Sequence, residues 1–434
     1  MAETFPPRFP AEAVAHWAQQ TPGKTALRSA ERDLTYAELD ARADAVASGL
    51  RAHGVGVGDS VAYLGTNGPE FFELWFGASR VGAALAPLNF RSAPPEIAQF
   101  LDDARPRIVV AAEDFRPMID KVRTITDTPL EVLFFSRGDD ASEIETWVAA
   151  QAPLEERHPL RGDEIALLSY TSGTTGVPKG VQWPQTAFSG ALKWNLAEPS
   201  MAWNADDVAL MVMPNFHLAG SWVSTPALYF GGTISILPAP DPTAVLRAIR
   251  EWGVTAVCLV PTAIQMLLTH PETAGADFGR LRAVLYAGSP ISGETIIRAR
   301  DTFGCDLIQF YGTSETYMIS ILRPEQHDPS LGRVITSAGA PLPGVEVKTV
   351  RDDGTDAAAE EVGELWIRSD VMFPGYLNKQ EQTDAAMHDG WYRSGDLGYR
   401  DAEGNVYIVD RVKDMIVTGG ENVYSVEVER ALAS

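Results

Sequence analysis

The sequence predicts an α/β fold, in which a large N-terminal domain of stacked, mostly parallel sheets with flanking helices is followed by a small antiparallel β subdomain. Two observations predict it. Up to residue 310, apolar patterns of helical and of strand periodicity alternate along the chain, which implies crossover connections and parallel pairing. After about residue 339, short strand-like segments recur between Gly, Pro and Asp turns, as in an antiparallel sheet or a small barrel. We therefore expect the large domain over 1–411, with the β subdomain at about 339–411.

The first third of the chain supplies helices and strands in turn. Leu39, Ala43, Val46 and Leu50 share one face of a helix, which a glycine-rich stretch then ends. The elements predicted next are a buried strand at 60–64, a helix at 70–80, an apolar segment at 83–86, a helix opened by Pro94 and Pro95, and a strand at 107–110.

The middle of the chain repeats this rhythm. Strands are predicted at 255–260, 283–286 and 306–310, with a short helix at 262–269. Ligands of open parallel sheets bind at the carboxyl ends of strands. The segments that end the last two strands, 287–290 and 311–312, are therefore candidate ligand-binding loops.

Length, charge and cysteine content exclude several classes of protein. The 434 residues are 45% hydrophobic and 21% charged, which suits about three core-forming units. A net charge of −23 repels phosphate backbones and anionic membranes, so a nucleic-acid binder is not expected. No apolar run approaches the ~18 residues of a membrane span, and the N-terminus lacks the pattern of a secretion signal. Cys258 and Cys305 lie in strand-like stretches, which favours neither a disulfide framework nor a zinc site. We expect a soluble, cytoplasmic protein.

A glycine-rich segment at 170–180 carries the strongest chemical signal. It follows a predicted strand at 165–168, and its glycines allow successive backbone N–H groups to point at one anion. The order Pro-Lys-Gly differs from the Gly-Lys-Ser/Thr of nucleoside-triphosphatase loops, and the preceding strand disfavours a flexible surface linker. We predict polyphosphate contacts from Thr171, Ser172, Gly173, Thr174, Thr175, Gly176 and Lys179.

At this segment the sequence resembles the adenylate-forming superfamily, which comprises acyl-CoA synthetases, firefly-type luciferases and peptide-synthetase adenylation domains. The resemblance covers almost the whole chain and returns in family order at 309–316, 339–344, 375–378, 389–396 and 410–414. The run 418–428 looks most like fatty-acid and aromatic-acid ligases of the acyl-CoA synthetase branch. The resemblance implies a small carboxylic acid as substrate, ATP and coenzyme A as co-substrates, and Mg²⁺ as cofactor.

The matching positions imply a role for each site residue. Glu315 would hold Mg²⁺ together with phosphate oxygens, since hard cations prefer such ligands; a solvated loop glutamate is the alternative. Tyr311 would stack on adenine unless it is ordinary aromatic core, and Asp396 would accept hydrogen bonds from the ribose unless it only caps a turn. The remaining nucleotide contacts implied by the resemblance are Gly288, Ser289 and Pro290 at the adenine edge, Gly312, Ser314 and Arg411.

His217 is the third catalytic candidate, beside Lys179 and Glu315. By resemblance it lies near the carboxylate pocket, and the alternative is a hydrogen-bonded core histidine. Adenylation domains that activate amino acids usually have aspartate here, because a buried ammonium needs an anionic partner. His217 therefore favours a plain fatty or aryl acid. The segment 183–185 also departs from the family pattern, and the sequence gives that change no functional meaning.

The expected reaction is AMP-forming acyl-CoA ligation, in which the acid is adenylated by ATP and then transferred to coenzyme A. The alternatives are an adenylation domain that loads a carrier protein, a luciferase-type oxygenase, and a nucleotide-binding regulator without turnover. Intact Lys179, Glu315 and Asp396 disfavour the regulator. Besides these small molecules, the one binding partner considered is a second copy of the chain, in a homodimer.

By motif position Lys413 is the hinge residue, and 412–434 would be the hinge and the start of a mobile C-terminal domain. Only 21 residues follow Lys413, too few to bury a core of their own. Family members continue with a small domain that carries a second lysine. We therefore expect these 434 residues to bind ATP or an acyl-adenylate, to adenylate slowly, and to form essentially no thioester.

Overall fold

The computed structural model describes residues 8–138, 141–152, 154–171, 178–412, 416–418 and 421–423. Its α-helices are α1 Pro10–Gln20, α2 Tyr36–Ala52, α3 Pro69–Ser79, α4 Pro94–Ala104, α5 Arg116–Val122, α6 Glu143–Ala149, α7 Gln185–Ala197, α8 Leu218–Ser221, α9 Thr225–Tyr229, α10 Pro242–Trp252, α11 Pro261–Thr269, α12 Gly293–Phe303 and α13 Gln380–Ala386. Short 3₁₀ turns lie at Glu113–Phe115, Pro199–Met201, Pro271–Gly275, Pro324–His327 and Pro329–Thr336.

The strands alternate with these helices through most of the chain and then follow one another. They are β1 Thr25–Arg28, β2 Asp33–Thr35, β3 Ser60–Leu64, β4 Ala84–Pro87, β5 Val109–Ala112, β6 Val132–Phe135, β7 Ile165–Thr171, β8 Lys179–Pro184, β9 Val208–Met211, β10 Thr233–Ile236, β11 Ala256–Leu259, β12 Ala283–Tyr286, β13 Asp306–Thr313, β14 Tyr317–Leu322, β15 Ala340–Pro341, β16 Val345–Val350, β17 Gly363–Ser369, β18 Met387–His388, β19 Trp391–Arg400, β20 Val406–Arg411, β21 Ile416–Thr418 and β22 Glu421–Val423.

The predicted α/β class is confirmed by two mostly parallel sheets. In the first, with the order β6-β5-β3-β4-β7-β8, every pair is parallel except β7 with β8. In the second, with the order β15-β14-β13-β12-β11-β9-β10-β1-β2, the six strands from β13 to β1 are parallel, and the outer strands pair antiparallel. One apolar core contains residues of both sheets.

Helix α3 joins the layers of this core. All eleven of its residues are buried, so it must have neighbours on every side, and it packs on β3, β4, β7, α1 and α2. Its two acidic residues, Glu70 and Glu73, are buried because Arg32 pairs with both, at 3.4 Å and 2.6 Å. Buried charges require such partners.

The helices and strands predicted from periodicity are present with small changes in their bounds. The helix predicted from Leu39 to Leu50 is α2, which begins with a capping box formed by Thr35 and Glu38. The strand predicted at 107–110 is β5, which starts two residues later. The placement of Cys305 in a strand-like stretch was wrong: it lies in the turn between α12 and β13, because Gly304 takes a left-handed conformation that ends the helix. Cys258 lies in β11, and both thiols are free.

The antiparallel subdomain consists of β16 to β20. In this sheet β16, β17, β19 and β18 follow in order, and β20 also pairs with β19. Within the described residues the pairing ends at β16, so the sheet is open and the barrel considered from the sequence is not formed. The sheet covers the edge at which the strands of both parallel sheets end. No helix among the described residues is long and apolar enough to span a membrane.

Candidate functional site

A cavity of about 940 Å³ lies at the carboxyl ends of the two parallel sheets, beneath the antiparallel subdomain. The first sheet contributes Thr171 and Lys179, the second sheet Ser314 and Glu315, and the subdomain Asp396. Residues of all three sheets therefore meet around one space, and those of the two parallel sheets lie at strand ends, as the strand pattern had led us to expect for a ligand site.

The structure brings most of the predicted site residues to this cavity. Ser289 and Pro290 are exposed on the loop after β12 and are not part of the lining, and Tyr311 lies half-buried behind it. Ser172, Gly173, Thr174, Thr175, Gly176 and the predicted hinge residue Lys413 lie outside the described residues. The predicted residues that line the cavity are Thr171, Lys179, His217, Gly288, Gly312, Ser314, Glu315, Asp396 and Arg411.

Lys179 is positioned by the β7–β8 hairpin. Thr171 is its partner across the two strands, so the glycine-rich segment is the connection of this hairpin. The Lys179 Nζ atom lies 4.8 Å from the ring centroid of Tyr376, close enough for a cation–π interaction. Tyr376 is held there because its segment pairs with β8: the Leu377 N–H donates to the Gly180 carbonyl at 2.8 Å.

Glu315 lies in the tight turn between β13 and β14. Its backbone N–H donates to Thr313 Oγ1 at 3.2 Å, which fixes the turn. Glycine is required at position 312, because a Cβ there would lie 1.7 Å from the Tyr317 carbonyl oxygen. Glu315 is 8% exposed, and its Oε1 accepts a hydrogen bond of 2.7 Å from the Tyr376 hydroxyl.

Asp396 forms a second polar centre with two of the predicted nucleotide contacts. Its Oδ2 accepts a 2.6 Å hydrogen bond from the Tyr311 hydroxyl, and its Oδ1 lies 3.4 Å from Arg411 Nε. Burial raises the pKa of Asp396, while Tyr311 and Arg411 oppose that shift. Burial and the neighbouring carboxylate raise the pKa of Tyr311 well above its ordinary value, so the phenol remains a donor. Because a carboxylate has about four acceptor positions, Asp396 can still accept hydrogen bonds from a ligand.

His217 lines the cavity at the start of α8. Enclosure by the protein lowers the pKa of its ring, and the positive charge of Arg91 acts in the same direction, so the imidazole is neutral at pH 7. Near it the lining is apolar and includes Trp222 and Met318. This end of the cavity suits a neutral or apolar group.

Tyr317 closes the apolar end of the cavity. Its ring is perpendicular to that of Trp222 on one side, with centroids 5.1 Å apart. On the other side it is perpendicular to Trp183, at 3.8 Å. Trp183 is fully buried. The departure from the family pattern at 183–185 thus has a structural explanation, because Trp183 packs behind Tyr317, a residue of the cavity wall.

Polar lining residues without a predicted role include Arg91, Tyr376 and Tyr392. Tyr376 and Tyr392 belong to the motifs 375–378 and 389–396, so their positions were available, but the contact with Glu315 was not. Arg91 follows β4, whose carboxyl end adjoins that of β7. That strand end was the signal by which Arg91 could have been found.

The residues around Glu315 fit a magnesium ion shared with a polyphosphate. Among the described residues, no group of three or more His, Cys, Asp and Glu side chains could hold a metal ion by itself. Mg²⁺ in nucleotide sites is usually bound by one or two carboxylates together with substrate phosphates. One buried carboxylate, with the hydroxyls of Thr171 and Ser314 in the same cavity lining, is such a donor set.

Comparison with known proteins agrees with this geometry. The profile of the family described as "AMP-binding enzyme" matches residues 14–377. Indoleacetate–CoA ligase of Aromatoleum aromaticum is 37% identical over 97% of this chain and 82% of its own length. The fatty acid–[acyl-carrier-protein] ligase ScoC of Streptomyces coeruleorubidus is 33% identical over 97% of this chain and 80% of its own.

Solved structures with the same fold include ATP-bound MatB from Rhodopseudomonas palustris. It is 28% identical and has a TM-score of 0.85, and the match covers 98% of this chain and 83% of the MatB chain. The o-succinylbenzoate coenzyme A synthetase MenE from Bacillus subtilis, in complex with ATP and a magnesium ion, is also 28% identical with a TM-score of 0.85, over 97% and 84% of the two chains.

Proposed function

The chain belongs to the AMP-binding enzyme family of acid ligases, and we propose that it is an AMP-forming acyl-CoA ligase acting on a fatty or aryl acid. The observation that carries the proposal is the convergence of Lys179, Glu315 and the Asp396 centre on one cavity that is also lined by apolar residues such as Trp222 and Met318. That arrangement offers a cation and a metal-binding carboxylate for phosphates, an acceptor for a ribose, and an apolar wall for an acyl group.

In the proposed first step, an oxygen of the substrate carboxylate attacks the α-phosphorus of ATP. The new O–P bond forms as the bond to the β-phosphate oxygen breaks, and pyrophosphate leaves with the electron pair. The acid has a pKa near 4 to 5 and is already ionised at pH 7, so no general base is needed. Catalysis then depends on alignment and on neutralising charge as pyrophosphate departs.

The residues of the cavity have distinct tasks in this step. Lys179 stabilises the negative charge on the departing phosphates, and Glu315 would hold a magnesium ion, which would supply further positive charge to the phosphates. Asp396 accepts hydrogen bonds from the ribose, with Tyr311 and Arg411 fixing its carboxylate. We propose that Tyr311 also stacks on adenine, at the edge formed by Gly288, Ser289 and Pro290.

The substrate is proposed to lack an ammonium group. The carboxylates among the described lining residues are Glu315, Glu364 and Asp396, which belong to the phosphate and ribose end. Beside His217, which is neutral at pH 7 and lies near the cationic Arg91, an ammonium would have no anionic partner. A plain carboxylate meets no such penalty there.

In the proposed second step, the thiolate of coenzyme A attacks the acyl carbonyl and displaces AMP. A second candidate acceptor is the pantetheine thiol of a carrier protein, which is favoured by the similarity to ScoC. We further propose a cytoplasmic location and a hinge at Lys413 that separates a large domain, 1–411, from the segment 412–434.

The test is exchange of radiolabelled pyrophosphate into ATP with a panel of fatty, aryl and amino acids. Fatty or aryl acids are expected to drive exchange. Acceptors are then compared by offering the preformed acyl-adenylate either coenzyme A or a carrier protein whose pantetheine thiol is free. Absence of exchange with every acid would make the protein a nucleotide binder without this activity, and preference for the carrier protein would select the second candidate.

A further inference from the structure

We propose that Tyr376 is a positioning residue that keeps Lys179 and Glu315 apart and correctly oriented for magnesium-bound ATP. The inference rests on the proposed function, in which these two groups face the phosphates. Tyr376 contacts both at once: its ring faces the Lys179 ammonium at 4.8 Å, and its hydroxyl donates to Glu315 Oε1 at 2.7 Å.

The ring prevents a competing interaction. Lys179 and Glu315 carry opposite charges and line the same cavity, and such charges attract strongly where water is partly excluded. The ion pairs of the described residues nevertheless do not include one between them. A direct pair would neutralise the cation and occupy the carboxylate, and it would have to break before phosphates and metal could bind. Tyr376 gives each group a different partner and so keeps both available.

The phenol is rigid enough for this task. The side chain is 6% exposed, the Tyr376 N–H donates to Thr383 Oγ1 at 2.9 Å, and the backbone forms a bridge to Val181 of β8. Gly375 precedes it with a φ of +151°, and a Cβ there would lie 2.9 Å from Thr383 Cγ2. The ring therefore stays in place without a ligand, as preorganised catalysis requires.

The hydroxyl is a permanent donor to Glu315. A tyrosine hydroxyl has an ordinary pKa of about 10 and so keeps its proton near neutral pH, and this one donates to Glu315 Oε1 at 2.7 Å. Tyr392 lines the same cavity as Glu315 and Tyr376, and the Glu315 charge helps to raise the pKa of its phenol. However, among the described aromatic residues Lys179 lies over the ring of Tyr376 alone. Tyr392 can support Glu315 but cannot replace the ring.

Two variants separate the two contacts. Tyr376→Phe retains the ring and removes the hydroxyl, whereas Tyr376→Leu removes both. Tyr36→Phe is the matched control, because it also loses one buried hydroxyl hydrogen bond, to the Gly232 carbonyl at 2.8 Å, but does not line the cavity. Calorimetric titration with ATP, with Mg²⁺ or with EDTA and without any acid substrate, measures binding in the absence of turnover.

In the wild type, Mg²⁺ should strengthen ATP binding. In Tyr376→Phe that enhancement should fall about tenfold, the effect of one hydrogen bond to a charged group, while binding in EDTA stays within about twofold. In Tyr376→Leu binding in EDTA should fall as well, because Lys179 is then paired with Glu315. An unchanged enhancement in Tyr376→Phe overturns the hydroxyl role, and equal binding of the two variants in EDTA overturns the ring role. If Tyr376→Leu does not fold, Tyr376→Phe still decides the first point, and Tyr376→Met replaces Leu for the second.

Failure of this inference is distinct from failure of the proposed function. Pyrophosphate exchange by the wild type tests the proposed function. The calorimetric pattern, that is, the expected changes of ATP binding in the Tyr376 variants with Mg²⁺ and with EDTA, tests the role of Tyr376. A wild type without exchange that shows the expected pattern supports the positioning role in a nucleotide site of another activity. Normal exchange without the pattern refutes the positioning role alone.

Discussion

Acidification should destabilise this protein through one buried histidine, His327. Its side chain is 1% exposed and uses both ring nitrogens: Nδ1 donates to the Arg323 carbonyl at 2.8 Å, and Nε2 accepts from the Tyr286 hydroxyl at 2.8 Å. Burial lowers the pKa of His327 from 6.5 to about 4. The folded protein therefore keeps the neutral ring over a pH range in which the unfolded chain binds a proton.

The size of the effect follows from this difference. Above pH 6.5 both states are neutral at this ring, and its contribution to stability is complete. As pH falls from 6.5 towards 4, the unfolded state gains a proton that the folded state does not, so the free energy of unfolding falls. Each pH unit is worth about 1.4 kcal/mol, which gives about 3 kcal/mol over the whole range.

Urea unfolding of the wild type, His327→Gln and His388→Gln between pH 7.5 and 4.5 measures this contribution. His388 is the control because its side chain is 62% exposed. The His327 variant should be less stable at pH 7.5 by about 1–3 kcal/mol, since two buried hydrogen bonds are disturbed. Its free energy of unfolding should then fall by about 2–3 kcal/mol less than that of the wild type on acidification. Parallel pH profiles for the wild type and His327→Gln would refute the reasoning.

Other expected outcomes concern the cavity. Lys179→Ala should raise the activation barrier of pyrophosphate exchange by about 2–4 kcal/mol. Glu315→Ala should slow exchange and should also raise the Mg²⁺ concentration needed for half-maximal ATP binding. Exchange at the wild-type rate in both variants would contradict the nucleotide assignment. Gly312→Ala should lower the free energy of unfolding by at least about 2 kcal/mol, because the new Cβ would lie 1.7 Å from the Tyr317 carbonyl oxygen. An unchanged melting temperature would show that the turn can relax. Fatty and aryl acids should exceed every proteinogenic amino acid in exchange rate, and the reverse order would remove the argument from His217.

Local sequence predicted the helices and strands because their patterns are local. Helix α2 has its apolar face, its capping box and its terminating glycines within about twenty residues. Motif positions likewise led to Glu315 and Asp396. Their partners were not predictable, because Tyr376 is 61 residues from Glu315 and Tyr311 is 85 residues from Asp396. Contacts of that separation depend on how three sheets meet, which periodicity within one segment does not encode.

Strand β8 carries two residues with separate consequences for the cavity. Lys179, at its start, lies over the ring of Tyr376, and Trp183 packs behind Tyr317 of the cavity wall. Four residues of strand separate them by about 13 Å. A change of acid specificity made by altering Trp183 would therefore act on the strand that also places the Lys179 ammonium. Trp222 and Met318 also line the cavity but lie outside β8. We therefore expect substitutions that change acid specificity to occur at those two positions more often than at Trp183.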